Sequence, residues 1–270
     1  ILGTDREVAT ECPKVSDGES FFEYAAVFNS VLHARDRYTM IELGGGWAKR
    51  AVDSAKVLEQ LNPVSSLLVV VEPVPAYFDW AVGHFRTNGL DPADHWFLNA
   101  AASDSNTPQF MCLVGGLLGN QINDLRVWNW ADSTFGEGSL SGQQLKTFLQ
   151  NPHIAVNNAQ GREFARYGFV SCVTLNDILR PLNRVEYLDV DIQYAEIRVL
   201  PPAISALNRK VRLIHVGTHS ASIHEQLRAF FLGHGWDVLA DLLPHSRYDF
   251  PAGSFATQDG VLTMLNPRVS

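Results

Sequence analysis

Cysteine is scarce in this sequence, and charged residues are fewer than in an average globular protein. The 270 residues include three cysteines, and no two of them are spaced as Cys-x-x-Cys. This distribution argues against a structural zinc site and a disulfide scaffold, and the odd count fits reduced thiols in a cytoplasmic compartment. Charged residues make up 19% and hydrophobic residues 46% of the chain. A chain this apolar can bury a large core, which excludes wholesale disorder.

Long apolar runs and clusters of basic residues are also missing. The apolar run from Leu67 to Val71 is far shorter than the ~18 residues that a membrane span needs. The net charge of −8 disfavours charge-driven binding to nucleic acid or to an anionic membrane, so we expect neither as a partner. The first residues lack a signal-peptide pattern, and we expect a cytoplasmic protein. The sequence begins at Ile1, and a removed leader stays an alternative.

Hydrophobic periodicity predicts an α/β fold. Apolar residues at helical spacing predict helices over 21–37, 47–61, 76–88, 195–207 and 222–234, and the fourth of these is expected to bend or break at Pro201-Pro202. Short apolar runs predict strands over 38–43, 67–71, 97–102, 185–190, 211–216, 236–243 and 260–265. Alternating strands and helices are typical of a parallel sheet with right-handed crossovers. We assign residues 1–38 to a helical lead-in and residues 39–266 to a single domain.

Residues 107–171 interrupt this alternation after the third strand. The segment holds many Gly, Asn and Gln residues, together with Trp128, Trp130 and Phe135. Segments of this length without regular structure are usually functional or disordered when they lie in a compact domain. We expect the insertion to cover the substrate, with Trp128 and Trp130 in contact with it.

A glycine-rich loop links the first strand to the next helix. Gly44 and Gly46 allow a sharp turn and a close approach of a ligand to the backbone, and the helix N-terminus that follows favours an anionic group. Glu72 ends the second strand, where an acid can accept hydrogen bonds from ribose hydroxyls. Together these features predict a cofactor that contains a nucleoside.

The spacing of the loop distinguishes two kinds of cofactor. A dinucleotide site requires Gly-x-Gly-x-x-Gly, whereas this loop has Ala48 near the third position. Glu42 lies two positions before the first glycine, where a carboxylate suits the ammonium group of the methionine part of S-adenosylmethionine. The loop therefore favours a cofactor such as S-adenosyl-L-methionine over a dinucleotide, and a nucleotide-dependent oxidoreductase is the weaker alternative.

These motifs resemble those of the class I S-adenosylmethionine-dependent methyltransferases. The segments 42–46 (ELGGG), 71–73 (VEP) and 99–104 (NAAASD) are similar to the first motif, the ribose-binding motif and the adenine-adjacent segment of that class. Within the class, the chain most resembles the FkbM-like methyltransferases. The stretch 185–200 (VEYLDVDIQYAEIRVL) is similar to their strand-four signature, and 214–219 (IHVGTH) also fits. The resemblance covers about residues 20–266.

The resemblance implies a Rossmann-like fold with a seven-stranded, mostly parallel sheet and helices on both faces. The implied strand order is 3-2-1-4-5-7-6, with a long insertion after strand three. The implied cofactor-binding residues are Glu42, Gly44, Gly46, Glu72, Ala100 and Ala101. Many family members carry Lys, Glu and Gly where Asp189, Gln193 and Tyr194 stand here, and a further glycine near Ala48.

Polar residues at the ends of predicted strands four and five are the candidates for catalysis. His219 is our first candidate for the general base, because a neutral imidazole accepts a proton near pH 7. Asp191 is the alternative base or an orienting group, and Gln193 is a candidate substrate contact. Asp189, Asp191 and His219 are also a possible site for a divalent metal ion, Mg²⁺ or Mn²⁺, although we favour the metal-free route.

The resemblance and these residues predict O-methylation of a hydroxyl group on a small molecule. A sugar, a glycoside or a natural product is the expected methyl acceptor. An N-methyltransferase is the alternative among enzymes, and a non-catalytic module that keeps the cofactor-binding fold is the alternative outside them. The oligomeric state stays unassigned.

Overall fold

The computed structural model describes residue 14, residues 18–115, 163–251 and 253–269, and the short strands at 122–123, 128–129, 134–135 and 153–157. In chain order the helices are α1 (Glu19–Leu32), α2 (Lys49–Leu61), α3 (Pro75–Thr87), α4 (Leu175–Leu179), α5 (Glu196–Val199), α6 (Ile204–Lys210) and α7 (Ala221–Gly233). Turns of 3₁₀ helix lie at Pro92–Asp94 and Pro201–Ala203. None of the helices in these ranges combines the length and apolar composition that crossing a membrane requires.

The strands fall into a central sheet and several smaller ones. In chain order they are β1 (Arg37–Leu43), β2 (Ser65–Val71), β3 (Trp96–Leu98), β4 (Ala101–Ser103), β5 (Gln109–Gly115), β6 (Ile122–Asn123), β7 (Trp128–Asn129), β8 (Thr134–Phe135), β9 (His153–Asn157), β10 (Glu163–Val170), β11 (Cys172–Thr174), β12 (Val185–Val190), β13 (Val211–Thr218), β14 (Asp237–Leu242), β15 (Arg247–Phe250), β16 (Gly253–Ala256) and β17 (Gly260–Leu265).

The central sheet has seven strands in the order β14-β17-β13-β12-β1-β2-β3. The pairs from β13 to β3 are parallel, and β17 runs antiparallel to both β13 and β14. Numbered along the chain within this sheet, the order is 3-2-1-4-5-7-6. The predicted fold class, a Rossmann-like and mostly parallel seven-stranded sheet, is therefore confirmed.

Helices cover both faces of this sheet, so its strands bury apolar side chains on both sides. Met40 and Val70 belong to one hydrophobic cluster with helices α1 to α3, whereas Ile41 and Val69 belong to another with helices α4 to α7. Successive side chains of a strand point to opposite faces. The apolar run Leu67–Val71 is continuous, and all five of its residues are buried, because neither face meets water.

Several element boundaries differ from the sequence prediction. Helix α1 ends at Leu32 and not near residue 37. The side-chain amide of Asn62 donates hydrogen bonds to the Val31 and Ala34 carbonyls and thereby caps the end of the helix. The break expected at Pro201-Pro202 in the helix over 195–207 is confirmed, since the helix is divided into α5, a 3₁₀ turn at Pro201–Ala203 and α6. Proline has no N–H to donate, so the two prolines interrupt the helix.

The third predicted strand is also divided, because β4 leaves the central sheet and pairs with β11. Among the described strands of the insertion, β5, β6, β9 and β10 form a separate four-stranded antiparallel sheet, and β7 pairs with β8. Trp130 lies outside the described residues, and of Trp128 only the backbone is described. The covering role of the insertion and the domain boundary at residue 38 stay predictions.

Candidate active site

The glycine loop lies where the carboxyl ends of β1, β2 and β12 meet. Gly44 has a φ of 78°, and a Cβ atom built there would lie 1.8 Å from the carbonyl oxygen of Asp191. The Gly44 and Gly45 amides donate to the Val71 carbonyl at 3.0 and 3.1 Å, and the Asp191 amide donates to the Leu43 carbonyl at 3.0 Å. Only glycine fits position 44, because the loop passes against the backbone that carries Asp191.

The second half of the loop has an open side. Gly46 has a φ of 52°, and nothing lies within 4 Å of the place where its Cβ would be. Ala48 is also left-handed, with a φ of 60° and a ψ of 44°, which costs a residue other than glycine about 1–2 kcal/mol. This strain explains why a glycine near position 48 suits the loop better than the alanine found here.

Glu42 and Glu72 hold the two ends of this loop. Both oxygens of Glu42 accept hydrogen bonds from the first turn of α2, from the Arg50 amide at 3.2 Å and the Ala51 amide at 2.9 Å. Glu72 accepts from the Gly46 amide at 2.8 Å and the Val74 amide at 2.7 Å. Burial raises the pKa of Glu42 well above its usual value, with a further contribution from Asp189, and it raises the pKa of Glu72 to about 7.

The segment after β3 lies beside Glu72. Asn99 donates its side-chain amide to the Glu72 carbonyl at 2.8 Å. Ala100 and Ala101 are buried, and the Ala101 amide donates to the Ser171 carbonyl at 2.8 Å. Asn99 thus ties the segment that leads into β4 to the residue that follows β2.

A cavity of about 240 Å³ opens next to the glycine loop, over the carboxyl ends of β1, β12 and β13. Ligands of open α/β sheets bind at this edge. Trp47, which is half exposed, lies at the mouth of the cavity. The carboxylates that line the cavity are Glu19, Glu23, Glu42, Asp189, Asp191 and Asp259.

His219 follows β13 and lies among acidic side chains. Its Nδ1 donates to Oε1 of Glu196 at 2.9 Å, and its Nε2 lies 3.2 Å from Oδ1 of Asp191 and 3.8 Å from Oδ1 of Asp259. His219 and Glu196 are buried, whereas the side chains of Asp191 and Asp259 are 54% and 44% exposed. A buried carboxylate–imidazole pair therefore faces two carboxylates that are open to the cavity.

The charge of His219 follows from these contacts. Burial alone disfavours the imidazolium, but Asp191 and Glu196 outweigh burial and raise the pKa of His219 to about 10. The ring is therefore protonated at neutral pH, and a protonated imidazole cannot accept a proton from a substrate. The hypothesis of a neutral His219 as general base does not fit this environment. The carboxylate of Asp191, which lines the cavity, can accept a proton instead.

The possible metal site at Asp189, Asp191 and His219 is not supported. Asp189 is buried, its carboxylate accepts a hydrogen bond from the Tyr187 hydroxyl at 2.9 Å, and burial raises its pKa to about 6. A protonated imidazole has no lone pair for a metal ion. Among the residues with described positions, no group of three or more His, Cys, Asp or Glu side chains could hold a metal ion.

Arg50 of α2 also lines the cavity and places a positive charge there. Its guanidinium contacts the carboxylate of Glu23 in α1, and its Nη1 lies 3.5 Å from Oδ2 of Asp53. This Nη1 is buried and has no hydrogen-bond partner within the described part of the chain. Because a buried donor without a partner is costly, the position suits an anionic group.

Helix α1 also reaches the loop that carries Asp259. Oε1 of Glu19, the first residue of α1, accepts hydrogen bonds from the Gln258 amide and, at 3.0 Å, from the Asp259 amide. Burial raises the pKa of both the Glu19 and the Asp259 carboxyl. The helical lead-in therefore forms one wall of the cavity.

The turn after β12 is strained. Gln193 and Tyr194 have φ values of 51° and 72°, in the left-handed region that favours glycine. The ring of Tyr194 lies 5.3 Å from that of His219, and Nε2 of Gln193 lies 3.4 Å from Oδ1 of Asp191. Such strain concentrates at functional sites. Tyr194 stands where the resemblance to the FkbM-like methyltransferases implies glycine, and its ring packs against His219.

Sequence reasoning missed four residues of this site. Glu196 was visible as the acid that opens a helix after strand four, but nothing in the sequence pairs it with His219. Arg50, Glu19 and Asp259 lie on α2, on α1 and before β17, and only the strand order brings them to one cavity. An acid directly before a predicted last strand was the one available signal for Asp259.

Comparison with known proteins places the chain among methyltransferases. A family profile described as the methyltransferase FkbM domain matches residues 54–238, more than half of the chain. A protein of Jannaschia sp. (strain CCS1) described as "Putative methyltransferase" is 24% identical over 247 residues, which cover 92% of this chain and 79% of that protein.

Two solved structures are also similar. A methyltransferase FkbM from Methylobacillus flagellatus KT has a TM-score of 0.48 at 10% identity, over 86% of this chain and 45% of the other. A precorrin-6y C5,15-methyltransferase from Geobacter metallireducens GS-15 has a TM-score of 0.45 at 8% identity, over 97% and 92%. This chain thus spans less than half of the Methylobacillus chain.

Proposed function

Because the chain belongs to the FkbM methyltransferase family, we propose that it transfers the methyl group of S-adenosylmethionine to a hydroxyl group of a small molecule. The observation that carries this proposal is the position of Asp191. Its carboxylate lines the cavity, 3.2 Å from a buried histidine, and its backbone carbonyl touches Gly44 of the glycine loop. A proton acceptor thus lies directly beside the proposed cofactor-binding loop.

The residues around the loop fit the amino-acid end of S-adenosylmethionine. Glu42 and Asp189 suit its ammonium group, and Nη1 of Arg50, which makes no hydrogen bond within the described part of the chain, suits its carboxylate. The cavity of about 240 Å³ is smaller than the roughly 300–1,000 Å³ of drug-sized sites, so we assign only this end of the cofactor to it. We propose Glu72 as the ribose contact, since each carboxylate oxygen can accept a second hydrogen bond. Ala100 and Ala101 are the proposed neighbours of the adenine.

We propose different roles in methyl transfer for the different side chains of the site. S-adenosylmethionine, when bound, supplies a methyl group on a positively charged sulfur. We propose that the Asp191 carboxylate accepts the hydroxyl proton while the acceptor oxygen bonds to the methyl carbon and the carbon–sulfur bond breaks. The imidazolium of His219, held by Glu196, orients Asp191. The substrate roles of Gln193, Trp128 and Trp130 stay part of the proposal.

An amine acceptor is the second candidate, and the acidic lining of the cavity favours it. Glu19, Asp191 and Asp259 all line the cavity. Carboxylates attract a cationic acceptor, and an amine also has to lose a proton to Asp191 before or during transfer. Product analysis distinguishes the two, since the methyl group is found on oxygen in one case and on nitrogen in the other.

The test is the replacement of Asp191 by asparagine. Transfer of labelled methyl from S-adenosylmethionine is measured over a panel of sugars, glycosides and amines, and the product is identified. We expect Asp191→Asn to lower kcat by about 10²–10⁴-fold and to leave the affinity for S-adenosylhomocysteine within about twofold. Asp249→Asn is the matched control, because this acid lies on the β15–β16 hairpin and is 71% exposed. Full turnover by Asp191→Asn would exclude the proposed role.

A further inference from the structure

A second cavity opens at the opposite edge of the central sheet, where the parallel strands begin. It has a volume of about 520 Å³ and is lined by the loops before β1 and β12 and by the first residues of β1 to β3. The seven residues of β1 separate it from the glycine loop, a distance of about 20 Å at ~3.3 Å per residue. Its volume lies within the range of small-molecule sites, and the proposed methyl transfer does not use it.

Two arginines at this cavity, Arg35 and Arg37, make no direct ion pair with a described side chain, although Asp36 lines the cavity with them. Arg35 and Arg37 are exposed and line the cavity. Within the described part of the chain, neither guanidinium makes a hydrogen bond or an ion pair, and the same holds for Asp36 between them. Both guanidinium groups are therefore free to bind an anion in the cavity.

A third arginine is fixed in position by a buried acid. Nε of Arg184 donates to Oε1 of Glu186 at 2.7 Å, and the other oxygen of Glu186 accepts from the Thr39 amide at 2.9 Å. Glu186 is buried, and both of its oxygens are already engaged by these two donors. Burial lowers the pKa of the neighbouring Arg212, and the positive charge of Arg184 lowers it further. The charges of Arg184 and Arg212 therefore repel each other.

The wall of the cavity at β3 is aromatic. The indole of Trp96 lines the cavity and is 37% exposed, although Trp96 belongs to a central-sheet strand. Rings of ligands stack on exposed aromatic faces. Guanidinium groups bind phosphate through two parallel hydrogen bonds, which makes arginine the usual residue for phosphate recognition.

We propose that this arginine pocket, defined by Arg35, Arg37, Arg184 and Trp96, binds a small phosphorylated ligand with a planar ring, of the nucleotide class. The ring stacks on Trp96, and the phosphate lies between the guanidinium groups of Arg35 and Arg37, whose charges it neutralises. Arg184, oriented by Glu186, supplies a further donor. The site is separate from the methyl-transfer cavity, and its occupation does not depend on turnover.

The test is calorimetric titration of the full chain with adenosine monophosphate, after saturation with S-adenosylhomocysteine. Saturation with S-adenosylhomocysteine prevents adenosine monophosphate from binding at the proposed cofactor site. We expect one equivalent of adenosine monophosphate to bind, and adenosine or inorganic phosphate alone to bind at least tenfold more weakly. Arg37→Ala should lower the affinity at least tenfold, and Trp96→Ala should reduce it to that of inorganic phosphate.

Arg247→Ala is the matched control, because this arginine is 74% exposed on the β15–β16 hairpin and should leave the affinity unchanged. Retained affinity for S-adenosylhomocysteine shows that each variant is folded. The proposal is overturned if adenosine monophosphate does not bind to the saturated protein, or if Arg37→Ala and Arg247→Ala bind it equally. Equal binding of inorganic phosphate and adenosine monophosphate would overturn the stacking on Trp96.

Discussion

The charge on His219 determines how the methyl-transfer site can work. Because its pKa is raised to about 10, the imidazolium persists through neutral pH and keeps Asp191 oriented. We expect kcat/KM to fall as the pH rises through about 10, with no ionisation of His219 near its ordinary value of ~6.5. A pH–rate profile from 5.5 to 10.5 measures this. An inflection near 6.5 that His219→Gln removes would contradict the assignment.

Glu196 supplies the control for that profile. It acts through His219 as a positioning residue, because its carboxylate is buried and accepts from Nδ1. Glu196→Gln keeps an oxygen that can accept this hydrogen bond and removes the negative charge. The pKa of His219, followed by NMR, should move down in this variant, and the alkaline fall in rate should move with it. A profile identical to that of the parent protein would show that Glu196 is merely structural.

Some features of the site were predictable from the sequence, and others were not. Strand order places Asp191 and His219 at neighbouring strand ends, and their side chains lie 3.2 Å apart in the structure. The charge of His219 was not predictable, because it depends on the burial of Glu196, 23 positions earlier in the chain. The role of Glu42 at the cofactor's ammonium group stays a prediction, and nothing in the sequence indicated that its carboxylate also accepts hydrogen bonds from two amides of α2.

At the scale of elements, the glycine loop is the most constrained segment. Gly44 and Gly46 both have positive φ, but only at Gly44 would a Cβ meet backbone, at 1.8 Å. Each alanine substitution introduces strain of about 1–2 kcal/mol, and Gly44→Ala must in addition displace the loop that carries Asp191. We expect Gly44→Ala to lower the free energy of unfolding by more than about 3 kcal/mol and Gly46→Ala by less. Urea unfolding of the pair measures this, and equal losses would contradict the close approach.

The elements themselves were predictable to different degrees. The buried strands β2 and β12 follow from continuous apolar runs, since both of their faces are covered. The end of α1 was not predictable, because the side chain that closes it, Asn62, lies 31 residues after Val31 in the chain. The hairpin β15–β16 was missed as well. Its alternation is short, and its aromatic residues pack within the hairpin and on Phe22 of α1.

At the scale of the whole molecule, the ionisable groups whose pKa values are shifted make the free energy of unfolding depend on pH. His219 has a raised pKa, so its contribution is complete below ~6.5 and is lost as the pH rises through about 10. Glu72 and Asp189 also bind protons more tightly when folded, with pKa values of about 7 and about 6, so they too lower stability as the pH rises. We expect Tm to fall steadily from pH 5 to pH 10.

Differential scanning calorimetry over that range measures the effect. His219→Gln should flatten the curve between pH 7 and pH 10, because the variant lacks the group that titrates there. A Tm that is constant or rises between pH 7 and pH 10 in the parent protein would contradict the assigned charge of His219.

The central claim is that the glycine loop and its acids bind S-adenosylmethionine, and calorimetric titration with S-adenosylhomocysteine tests it most directly. The account predicts binding of one equivalent near 1 μM, which corresponds to about −8 kcal/mol, and no binding of NAD. Glu72→Gln should weaken the complex, because it removes the charge from the proposed ribose contact. Binding of NAD with no response to S-adenosylhomocysteine or S-adenosylmethionine would contradict the account.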